Sequence, residues 1–128
     1  MLKTVARAVL ALYGALALFA AANVFMDPAR VADQMGLAPI RDLGLATFRG
    51  DIGGLFAGSG LFMLAAALRG ERWYLIPPLV YASLALAART ATLGLTGYEQ
   101  EFVLPMVIEG VTIAILLAAY AIFSPSEN

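Results

Sequence analysis

The chain contains neither cysteine nor histidine. Without cysteine there are no disulfides, thiolate metal sites or dithiol redox chemistry. Without histidine the commonest general base and metal ligand are missing. Acid–base work falls to carboxylates, tyrosine, lysine or a bound cofactor, and no metal is expected. Charge is scarce too. Asp, Glu, Lys and Arg make up 13 % of the chain, against about 25 % in soluble domains. The net charge is −1 and no basic tract occurs, so nucleic acid is not an expected partner.

Hydrophobic residues make up 62 % of the chain, where soluble domains hold roughly 45–50 %. The 128 residues read as one domain, 1–128, and a domain of that size cannot hide so much apolar surface from water. Its natural solvent is lipid. Four stretches, about 5–26, 43–68, 73–95 and 102–123, are long enough for a hydrocarbon core that takes about 20 residues to cross. Lys3 and Arg7 before the first apolar run, with Ala20-Ala21-Ala22 near its end, also fit a signal peptide. We read the run as the first membrane helix. The expected fold class is all-α, an integral membrane four-helix bundle with a short interfacial helix after the first crossing.

That short helix follows from Asp27-Pro28, an N-cap acceptor with proline at the first helical position. Gly36 closes it, and Pro39 prevents continuation. Gly50, Gly54 and Gly58 recur every fourth residue in the second crossing, a spacing that lets another helix approach closely. Trp73 and Tyr74 stand where aromatic side chains favour the membrane–water boundary. Pro77-Pro78 and Pro105 fall in first turns, where a missing N–H does no harm. Residues 96–101 read as a polar loop carrying Glu99 and Glu101, and residues 124–128 as a short polar tail.

Four crossings put both termini on one side. Lys3, Arg7, Arg69 and Arg72 flank that side; Arg30 and Arg41 lie opposite, accompanied by Asp27, Asp33 and Asp42. Cationic loops stay in the cytoplasm, so both termini are expected to be cytoplasmic.

Inside the apolar runs stand Arg49, Asp51, Arg89 and Glu109. At a rise of about 1.5 Å per residue, all four lie roughly 9–12 Å from the outer ends of their helices. Each charge at the centre of a membrane helix costs about 2.5–3.5 kcal/mol, so two cations and two anions at one level have reason to pair. Arg49 and Asp51 are about 200° apart around the helix and cannot both point at the same neighbour. The expected arrangement has Asp51, Arg89 and Glu109 facing the bundle axis, with Arg49 reaching toward the outer mouth. Asn23, Tyr13, Tyr81, Thr92 and Thr112 are further pocket or helix–helix candidates. Such a layer either locks the helices in register or forms a polar ligand site.

At Arg49-Gly50-Asp51-Ile52-Gly53-Gly54, with Arg89 in the third helix and Glu109 in the fourth, the chain resembles a family of small bacterial four-helix membrane proteins. That family is catalogued as a domain of unknown function and is distantly DoxX-like. The likeness covers most of the chain, including Asp27-Pro28 to Gly36-Leu37. It implies architecture and carries no mechanism. Some DoxX-like members are associated with quinone-linked oxidation, so a quinone is the ligand that the resemblance brings to mind.

The function expected is binding or carrying an amphipathic small molecule, lipid- or quinone-like, at Arg49, Asp51, Arg89 and Glu109. One alternative is a membrane enzyme with Glu109 or Asp51 as acid–base group and Arg89 stabilising negative charge. Another is an accessory subunit of a membrane complex or homo-oligomer, with the glycine stripe at the contact. Membrane lipid is a partner in each case.

Overall fold

A computed structural model of the chain describes residues 1–98 and 100–123. It is all-helical, with four helical spans long and apolar enough to cross a membrane: Leu2–Met26, Arg41–Arg69, Arg72–Thr96 and Gln100–Ile122. Their limits lie within about three residues of those expected. Glu99 and the tail Ser124–Asn128 fall outside the described residues.

Helix α1 (Leu2–Met26) ends at Asp27, whose N–H donates to the Asn23 carbonyl. The same residue starts α2 (Pro28–Gln34): its carboxylate accepts from the Arg30 N–H and pairs with the Arg30 Nε at 3.1 Å. Gly36, at φ +70°, closes α2 as a Schellman motif, with Leu37 N–H donating to the Ala32 carbonyl and Gly36 N–H to that of Asp33. The chain then runs through Pro39 into the second span. This span is three pieces on one axis: α3 (Arg41–Phe48), a π-helical turn (Arg49–Gly53) and α4 (Gly54–Arg69). Gly70, at φ +74°, stops α4 in the left-handed conformation. A 3₁₀ turn (Arg72–Leu75) leads into α5 (Ile76–Thr96), with Pro77 and Pro78 in its opening turn. A second 3₁₀ turn (Gln100–Phe102) leads into α6 (Val103–Ile122).

The helices associate as two pairs. Helix α1 packs most extensively on α4, and α5 on α6, while α6 also touches α1. The main buried cluster lies near the termini: Ala6 and Leu10 of α1, Met63, Ala66 and Ala67 of α4, Leu75 of the 3₁₀ turn, Leu116 and Ala119 of α6, and Phe123. A smaller cluster, Val24, Ala32 and Phe48, seats α2 against the far end of α1 and α3. Helix α5 adds little to either. Pro78 is its buried residue, and its most apolar stretch buries nothing.

Close helix approach occurs at glycines, but not those of the expected stripe. A Cβ on Gly60 would lie 2.8 Å from the Gly14 carbonyl oxygen, and one on Gly14 would lie 2.9 Å from the Gly60 carbonyl oxygen. A Cβ on Gly53 would meet Val24 and Phe25 at 3.2 Å. Around Gly50, Gly54 and Gly58 there is open space. The reason is angular. Gly53 and Gly60 are seven apart, two helical turns, and share the face that meets α1. Gly54 is displaced from that face by about 100° and Gly58 by about 200°. The stripe therefore packs no helix among the described residues, which corrects the expectation for Gly50, Gly54 and Gly58 within a single copy.

Candidate functional site

Of the four charges in the apolar runs, the structure joins two. Arg89 Nε donates to Glu109 Oε1 at 2.8 Å, linking the middle of α5 to the second turn of α6. The pair is partly buried, with 36 % of the Arg89 side chain and 15 % of the Glu109 side chain exposed. It is neutral as a unit, but its hydrogen-bonding capacity is largely unused. Arginine carries five N–H donors in a fixed fork. Here Nε is engaged, and both Nη groups lack an acceptor among the described residues. Glu109 Oε2 is buried and accepts no hydrogen bond. A bidentate fork would have satisfied both groups; the single contact leaves donors and an acceptor side by side.

Arg49 and Asp51 go elsewhere. Arg49 Nε donates to the Phe25 carbonyl at 3.1 Å, so the guanidinium caps one of the open carbonyls at the end of α1. Asp51 is exposed and forms no hydrogen bond or ion pair among the described residues. It lines a shallow, open pocket of about 290 Å³ with Leu37, Pro39, Thr47, Phe48 and Ile52. The expectation that Asp51 faces Arg89 and Glu109 is corrected here. With Arg49 turned to α1, the residue two further on must face away, toward the chain that folds back from α2. The π turn adds to this, because i→i+5 bonding widens the helix at these residues.

Three of the polar residues considered as pocket members, Asn23, Thr92 and Thr112, bond locally, while Tyr13 and Tyr81 form no hydrogen bond among the described residues. Thr92 and Thr112 donate to the carbonyls four residues back, of Ala88 and Ile108. Asn23 donates to the Phe19 carbonyl and accepts from Arg30 Nη2. These threonines therefore satisfy themselves within their own helices and make no hydrogen bond to the Arg89–Glu109 pair. No three His, Cys, Asp or Glu side chains converge on a metal-sized site among the described residues.

Several features had little sequence signal. A carbonyl acceptor such as that of Phe25 has no residue type, so it is invisible in sequence. Gly14 and Gly60 were readable as small residues, but α1 is so rich in alanine that its closest point of approach does not stand out. The chain matches no protein-family model, no curated protein and no solved structure.

Proposed function

We propose that the protein is an integral membrane protein crossing a bacterial inner membrane four times, as a helical bundle with both termini cytoplasmic. In that frame α2 is the interfacial helix on the outer side. The Arg89–Glu109 pair then binds or carries an amphipathic small molecule, lipid- or quinone-like, from the outer leaflet. The observation that carries this reading is the unused capacity of that pair. Both Nη groups of Arg89 and Oε2 of Glu109 lack partners, inside spans where the surrounding lipid tails offer none. Unsatisfied polar groups in hydrocarbon cost several kcal/mol each, so a ligand that completes them gains what they have lost. The pair is neutral and presents donors next to an acceptor, which suits a neutral headgroup with a carbonyl and a hydroxyl. The apolar flank of α5, unburied within the chain, offers a surface for the tail.

The test is mass spectrometry of molecules retained when the protein is extracted in native lipid. Wild type is compared with Glu109→Gln and Arg89→Leu. A defined amphipathic molecule in wild type and its loss from both folded variants is the expected result. Bulk lipid alone in all three samples would overturn the reading.

A second reading, an assembly subunit, is favoured by the open space over Gly50, Gly54 and Gly58. A stripe that packs nothing in its own chain is shaped for close approach by another helix. It predicts a homo-oligomer or larger complex in mild detergent, and a monomer would dismiss it.

A further inference from the structure

At the end of the molecule that carries the N-terminus, three arginines gather around Gly70. Arg69 and Arg72 flank it in sequence. Arg7, from the second turn of α1, lays its guanidinium against it, since any side chain at position 70 would run into that group. None of the three forms an ion pair or hydrogen bond among the described residues. Glu71 lies in the same turn and is likewise unpaired among the described residues.

Two of the cations, Arg69 and Arg72, stand over aromatic rings. Arg69 stands 5.6 Å from the centre of the Tyr74 ring. Arg72 stands 6.0 Å from the Trp73 ring and 5.2 Å from the Tyr120 ring, which ties the turn to α6. Such contacts supply no hydrogen-bond acceptor, so the guanidinium N–H donors stay uncommitted. Arg72 is the most confined, and its Nε is buried without any acceptor. A buried donor between helices, with two further arginines close by, suits an anionic oxygen that the described residues do not supply.

From this we infer that Arg7, Arg69 and Arg72 form a binding site for the phosphodiester of an anionic phospholipid. The lipid assignment rests on the membrane reading of the four apolar spans. It is favoured over a soluble phosphate by Trp73, half-exposed in the same turn, because exposed tryptophan at a helix end marks headgroup depth. Basic pockets between membrane helices on the cytoplasmic side are suited to such headgroups. The site lies at the opposite end of α5 from Glu109's hairpin and shares no residue with the Arg89–Glu109 pair.

The test uses the full chain in vesicles of phosphatidylcholine containing a minority of phosphatidylglycerol, followed by native mass spectrometry of the lipids retained. Wild type should retain phosphatidylglycerol preferentially. Arg72→Gln should lower that preference about fivefold, the effect of one cation near an anionic surface. Tyr120→Leu should lower it while keeping every charge, and Tyr120→Phe, which keeps the ring, should restore it. This pair guards against a change of orientation or folding caused by charge removal. Equal retention of both lipids by inserted wild-type protein would overturn the site and leave the membrane reading intact. Displacement of phosphatidylglycerol by millimolar inorganic phosphate would overturn the lipid assignment in favour of free phosphate. Failure to partition into vesicles at all would overturn the membrane reading itself.

Discussion

Alanine at Gly60 and alanine at Gly58 should have opposite effects, although the sites are two residues apart in the same helix. At Gly60 the new methyl would sit 2.8 Å from the Gly14 carbonyl oxygen and 2.9 Å from Leu18 Cγ. Leu18 can turn aside, but a backbone carbonyl in a helix cannot. Helices α1 and α4 must therefore part by about half an ångström or more to restore van der Waals distance. A gap of roughly 0.5–1 Å forfeits a quarter to a half of the dispersion energy of the atoms it separates. The atoms concerned belong to the main buried cluster, Leu10, Met63 and Ala66 among them. Overpacking of this kind destabilises by about 1–3 kcal/mol. At Gly58 the methyl enters open space, and replacing a helical glycine by alanine gains roughly 0.5–1 kcal/mol. Reversible unfolding of micellar protein in a denaturing detergent, followed by Trp73 fluorescence, measures both. Tolerance of Gly60→Ala within about 0.5 kcal/mol would refute the helix crossing described here. Destabilisation by Gly58→Ala as large as that by Gly60→Ala would show that the stripe is covered by another chain.

The Arg89–Glu109 pair should behave as a coupled unit. Breaking a fully buried pair costs about 3–5 kcal/mol, and the exposure of Arg89 reduces the expectation to about 1–3 kcal/mol for either Arg89→Met or Glu109→Gln. The double variant should recover most of that loss, and additive losses in a double-mutant cycle would show that the contact is not energetically formed. Asp51→Asn should leave stability within about 0.5 kcal/mol of wild type, because the carboxylate has no partner to lose. It should also leave the co-purifying molecule in place; loss equal to that in Glu109→Gln would bring Asp51 back into the site.

Much of this architecture is legible in the chain. The four spans follow from apolar runs interrupted by polar turns. The short helix follows from Asp27-Pro28 and Gly36, whose backbone signals are local and strong. The pairing of Arg89 with Glu109 follows from depth counting, since both sit a similar number of residues from one loop. Asp51 shows where such counting stops. Depth is set by rise per residue, but direction is set by accumulated rotation, and the π turn at Arg49–Gly53 alters that rotation without any hydrophobic signature. The glycine stripe shows the same limit. Regular spacing identifies a smooth face, while the partner of that face depends on which other residues, here Gly53 and Gly60, already meet α1.

The π turn also bears on how this protein tolerates changes in length. A π turn amounts to one residue more than a regular helix of the same span would hold. The faces of α3 and α4 are therefore already out of step by one position, with Phe48 seated under α2 on one side and Met63 in the main core on the other. Losing a single codon within Arg49–Gly53 would convert the turn to ordinary helix and keep both of those contacts in phase. Gaining one there, or losing one in the helix to either side, would rotate one contact away from its seat. A short genetic deletion at the least regular part of the chain is thus the change in length that its packing absorbs most readily.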